Sequence, residues 1–204
     1  MSNAFLIALT WAVLLALTLV DRYLLKNAFI KRHPLIWVTA GSGAPPGTWL
    51  TRAGTLLVFL ANIAAIGLTF CQALVPSLFP SWLGLDLPHC LNLLGAVVFV
   101  LYSIWGWLVV VYNPNYTPCY RRMPGRFLLA TRGPYAVVRH PRYAAEAVMN
   151  IILFFFTGYW VSWVGLAGWA ALYLQAKAEE DLLISLAGET YSAYRARVGM
   201  FFPK

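Results

Sequence analysis

The chain has 204 residues, 61% of them hydrophobic and only 11% charged, with a formal net charge of +8. A soluble domain of this size carries about 25% charged residues, so the composition excludes an ordinary soluble fold and calls for membrane spans. The positive balance would also suit nucleic acid, but its distribution argues against that partner. All 15 Lys and Arg fall in or beside three segments, residues 22–52, 121–142 and 177–204, as loops on one side of a bilayer would.

A membrane span needs about 20 mostly apolar residues. Residues 4–20 form the first such run. No positive region precedes it, and Asp21-Arg22 follows in place of a small-residue cleavage site, so it reads as a retained span and not as a signal peptide. The first inner loop, 26–49, holds the turn-rich Gly41–Gly47 stretch and reads as an irregular connection. Residues 53–75 make the second span. The outer loop 76–90 carries Pro76, Pro80 and Pro88 with no Lys or Arg, and Trp82 is placed to anchor at the interface. Residues 91–112 make the third span.

The second inner loop, 113–141, opens with Asn113-Pro114 and Thr117-Pro118 and cannot be one helix. Its aromatics Tyr116, Tyr120, Phe127 and Tyr135 predict an ordered, packed loop. Residues 144–176 contain one charge, Glu146, and are too long for a single span. Gly158-Tyr159-Trp160 and Ser162 are expected to turn the chain between two shorter helices. Beyond 176 the pattern predicts helix, break at Gly188, and a second helix on Tyr191, Tyr194 and Val198 lying along the membrane surface. Met200-Phe201-Phe202-Pro203 is expected to tuck into the bundle. Cys71, Cys90 and Cys119 are isolated thiols without metal-ligand spacing.

The expected fold is therefore all-α: a polytopic membrane helical bundle of about five transmembrane helices, the last two a tight hairpin, plus a C-terminal interfacial helix. It forms one membrane domain over 1–204, with three spans in 1–112, a cytoplasmic Arg-rich loop in 113–143, and the hairpin and cytoplasmic tail in 144–204. The charge pattern puts the N-terminus outside and the C-terminus in the cytoplasm.

Two polar clusters bear on chemistry. Pro141 suits the first position of the fourth helix, which leaves His140 at the cap and free N–H groups able to bind a carboxylate. Arg139 and His140 read as functional, and Arg142 as a contact to lipid phosphates. Glu179 and Glu180 close the fifth helix, where acids oppose both the helix dipole and the basic face. Either Arg139 or Lys177 compensates them as a structural pair, or they receive hydroxyl or ammonium hydrogens from a ligand. A carboxylate pair suits a ribose or amino-acid head group and repels phosphate, which favours S-adenosylmethionine over a phosphorylated nucleotide. Glu146 and Asn150 share one face of the fourth helix, and an acid inside a span faces the bundle interior unless it snorkels.

Gly133-Pro134-Tyr135, Arg139-His140-Pro141-Arg142-Tyr143, Glu179-Glu180 and Gly188–Tyr194, with the terminal Phe202-Pro203, resemble the integral-membrane methyltransferases, which include isoprenylcysteine carboxyl methyltransferases and phospholipid methyltransferases. The resemblance covers about residues 126–204. It implies S-adenosylmethionine held by Leu129, Gly133, Tyr135, Arg139, His140, Pro141, Tyr143, Glu179 and Glu180. It also implies a lipophilic or lipidated acceptor that enters from the bilayer. Asn150 and Gln175 are then expected on the acceptor side, with Glu146 as the proton-removing group and no metal. Gln175 stands where the carboxyl methyltransferases usually have Arg, and Phe127 where they usually have His. A neutral amide does not pair with a buried carboxylate, so the resemblance speaks for the methyl donor and less for the acceptor. Two other classes compete with this reading. One is a nicotinamide-dependent membrane reductase, which the paired Glu disfavour. The other is a non-enzymatic lipid-binding or transport protein, which finds no ionisable residue in the first three spans to use.

Overall fold

Thr48 starts the first long helix, α1 (Trp49–Leu74), through a reciprocal capping box with Thr51. This computed structural model describes residues 36–39, 46–75, 80–113 and 126–204, together with Ala12, Leu15 and Ala16 in helical conformation. The rest of the first expected span and the loop bearing Tyr116, Cys119 and Tyr120 lie outside the described residues. The second long helix, α2 (His89–Tyr112), follows Pro88. Residues Trp49–Gln72 of α1 and all of α2 are each 24 residues long and apolar enough to cross a membrane. At 1.5 Å per residue each reaches about 36 Å, more than the roughly 30 Å hydrocarbon core.

The third long helix, α4 (Pro141–Thr157), packs against both α1 and α2. A four-residue helix, α3 (Pro134–Val137), precedes it. Gly158 ends α4 in the left-handed conformation, φ 76°, which costs a glycine little. The expected turn is therefore present at that position. The return limb departs from a simple hairpin. It runs through α5 (Val161–Val164) and a 3-10 segment (Gly165–Gly168) before α6 (Trp169–Arg197) begins. The α6 helix passes 176 without stopping and breaks at Gly188, where the expected break lies. A Cβ on Gly168 would come within 2.2 Å of the Gly54 carbonyl, so α1 and this limb meet backbone to backbone.

The all-α expectation misses one element. β1 (Trp37–Thr39) pairs antiparallel with β2 (Arg126–Leu128), Val38 opposite Phe127. Three-residue strands are too short to leave a period-2 signal in the sequence. The ribbon lies beside the end of α6. Val38 and Leu129 pack on the buried Tyr191 and Tyr194. Two further clusters bind the bundle: Val58, Tyr143, Leu172 and Ala176 near the start of α4, and Ala65, Phe99, Ile152 and Leu153 near its end.

Candidate functional site

Gly133, φ 59°, turns the chain into α3, and Pro134 occupies its first position. Val138 is extended and pairs with Gly199 in an isolated parallel bridge. The next two backbone N–H groups donate to the tail as well, Arg139 to the Gly199 carbonyl at 2.8 Å and His140 to the Met200 carbonyl at 3.0 Å. Pro141 opens α4. The motif is thus an edge against which the tail lies. Met200 and Phe201 pack on the Tyr143 cluster, as expected of a tucked tail, whereas Phe202 is 81% exposed and does not tuck.

This edge faces α6. Arg139 donates to Glu180 through Nε at 2.7 Å and Nη2 at 3.1 Å. Arg195 Nε lies 3.3 Å from Oε2 of the same carboxylate. Of the two alternatives for compensating the acids, the geometry uses Arg139 for Glu180, while Lys177 is exposed. Burial alone would raise the Glu180 carboxyl, but the hydrogen bonds from Arg139 and the charge of Arg139 and the adjacent His140 ring outweigh it and hold it down at about 2. His140 Nε2 sits 3.2 Å from Glu180 yet is buried without an aligned hydrogen-bond partner among the described residues.

Glu179 is the more accessible acid, with 24% of its side chain exposed. The Tyr143 hydroxyl donates to it at 2.5 Å, Gln175 Nε2 donates to it at 3.2 Å, and His140 Nδ1 lies 3.8 Å away. The His140 and Tyr143 rings stack with centroids 5.7 Å apart. The structure therefore brings Arg139, His140, Tyr143, Glu179 and Glu180 together. Leu129 and Tyr135 support this cluster from behind: Leu129 is buried under Tyr191 and Tyr194, and the Tyr135 carbonyl accepts from the Tyr194 hydroxyl.

Gln175 is fully buried and committed at both ends of its amide. It donates to the Pro46 carbonyl at 3.0 Å, and its oxygen lies 2.8 Å from the Thr51 hydroxyl. Glu146 and Asn150 are placed one and two turns further along α4, in a separate polar chain. Arg142 pairs with Glu146 at 2.5 Å. Asn62 donates to Glu146 at 2.9 Å and accepts from Asn150 at 2.6 Å, and Trp169 Nε1 donates to Asn150 at 3.1 Å. Arg142 thus turns inward, against the expectation of a lipid-phosphate contact, because Glu146 stands one turn away on the same face. Sequence reasoning missed Asn62, Thr51, Trp169 and Arg195. An Asn in the middle of an otherwise apolar span was the available signal for Asn62; nothing local marks the other three.

No protein-family model matches this sequence, and no curated protein matches it.

Proposed function

We propose that this protein transfers a methyl group from S-adenosylmethionine to a lipophilic acceptor reached from a bilayer. The observation that carries the reading is the convergence of the Arg139–Tyr143 segment on Glu179 and Glu180 from opposite elements. In this reading Glu179 and the buried, unaligned His140 Nε2 hold the cofactor's hydrogen-bonding groups, and Tyr143 fixes the Glu179 carboxylate. Glu180 keeps the two walls together through Arg139. A part-exposed carboxylate beside two stacked rings fits an ammonium or ribose and repels phosphate. When bound, S-adenosylmethionine would supply a methyl on a positively charged sulfur. The chain's own contribution is alignment and exclusion of water, and positioning of this kind contributes about 7–11 kcal/mol.

The same reading has the bundle span the membrane as five helices with a cytoplasmic site. Its support is the apolar, outward surface of α1 and α2, where Leu60, Ile63, Leu94 and Leu101 are exposed. Trp49 near the site and Trp82 at the far end are also exposed, as interface anchors are. Thermal shifts of purified protein with S-adenosylhomocysteine and with NADPH test the function. Stabilisation by the first alone, abolished in Glu179→Ala and His140→Ala, is the expected result. Stabilisation by NADPH alone would move the assignment to a reductase.

A further inference from the structure

A cavity of about 420 Å³ opens between α1, α2 and α4, and its two ends differ in chemistry. That volume lies within the roughly 300–1,000 Å³ of small-molecule sites. Near the Tyr143 end it is lined by Asn62, Trp107, Arg142 and Glu146; towards the Gly158 end by Ile66, Phe99 and Met149. The helices alternate in direction, so this gradient is built by all three and not by one stripe. Arg142 and Glu146 are the two charged residues among the described lining, and they neutralise each other at 2.5 Å. Glu146 is further held by Asn62, so its charge is met from two sides. The Trp107 indole N–H is buried and has no acceptor among the described residues. A buried donor of this kind calls for an acceptor oxygen.

We infer that this cavity binds a neutral, single-chain amphiphile, with its oxygen-bearing head at Trp107 and its hydrocarbon tail along Phe99 and Met149. An anionic or cationic head would have to compete with the Arg142–Glu146 pair, which is already matched within hydrogen-bonding distance. As a binding site the inference stands on the cavity alone; as the methyl acceptor, the amphiphile rests on the reading proposed above.

The test is photolabelling of the full chain in detergent with a long-chain primary alcohol carrying a diazirine on its tail. Hexadecanol, palmitate and hexadecyltrimethylammonium serve as competitors. Labels are expected on Ile66, Phe99 or Met149, with hexadecanol competing about tenfold better than either ion. Trp107→Phe keeps an aromatic, though smaller, ring and removes the N–H, and should erase most of that preference. Gly106→Leu should block labelling, since a Cβ there meets nothing closer than Arg142 Nη1 at 3.9 Å and the added branch fills the cavity. Labels spread evenly over the lipid-facing residues of α1 and α2, or equal competition by all three amphiphiles, would overturn the inference. S-adenosylhomocysteine stabilisation measured on the same samples separates this outcome from failure of the methyltransferase reading.

Discussion

Arg139 holds Glu180 through two near-parallel hydrogen bonds, 2.7 and 3.1 Å long, and both side chains are buried. The same guanidinium donates to the Arg195 and Val198 carbonyls, so one side chain ties the loop before α4 to α6 and to the tail. Arg139→Ala leaves a buried carboxylate without its main partner and should cost about 3–5 kcal/mol. Arg139→Lys keeps the charge but loses the fork, and should recover only part of that. Thermal unfolding in detergent reads both; an unchanged Arg139→Ala would show that the pair holds nothing.

The pH dependence follows from the same carboxylate, which sits at about 2 against an ordinary 4.5. A depressed acid stabilises the fold above its unfolded value and loses that contribution as pH falls through its folded value. Wild-type stability should therefore decline from about pH 4 towards pH 2, and Glu180→Gln should remove most of that slope. Unfolding midpoints across that range check the sign.

Tyr143→Phe removes one hydroxyl, the donor to Glu179. The ring stays in its cluster with Val58, Leu172 and Ala176, so the fold should survive. Hydrogen bonds to charged groups contribute about 1.5–3 kcal/mol. On the proposed function, affinity for S-adenosylhomocysteine should fall about tenfold or more, measured by calorimetry. Unaltered affinity would remove Tyr143 from the site.

Asn62 and Asn150 should be energetically coupled, since their amides meet at 2.6 Å inside the bundle. Couplings of this type in membrane helices average about 0.6 kcal/mol and reach about 1.7. A double-mutant cycle with Asn62→Ala and Asn150→Ala measures it. Additive single effects would mean that the contact carries no energy of its own.

Gly133→Ala should damage the site without touching a charged residue. The position has φ 59°, and a Cβ there would lie 2.4 Å from the Tyr112 ring at the end of α2. The expected result is a lower unfolding temperature together with weaker S-adenosylhomocysteine binding. Wild-type behaviour on both counts would show that this turn tolerates a side chain.

Much of this architecture is written in local patterns. The uncharged runs 53–75 and 91–112 fall within a few residues of α1 and α2. Pro141, Gly158 and Gly188 mark a helix start, a turn and a break because their backbone restrictions act at single residues. The partners of the polar groups are a different matter. Glu146 and Arg142 are one turn apart and could be paired from spacing alone. That Asn62 bridges Glu146 to Asn150 depends on how α1 rotates against α4, and the buried face of α1 (Thr51, Thr55, Val58, Asn62, Ala65, Thr69) is less apolar than its exposed face, so hydrophobic patterning does not set that rotation. Gln175 shows the same limit: its partners are Pro46, just before α1, and Thr51 in the first turn of α1, 129 and 124 positions away in the chain.

The short ribbon sets an order of events during synthesis. Trp37 pairs with Leu128, so β1 emerges from the ribosome long before its partner strand exists. All of α1 and α2 must be made first, which takes several seconds at roughly 5–20 residues per second. Tyr191 and Tyr194, which cover Val38, are made later still. The edge beside the Arg139–Tyr143 segment is thus among the last parts of the molecule to close, and a nascent chain arrested before β2 would expose a bare strand to chaperones or proteases.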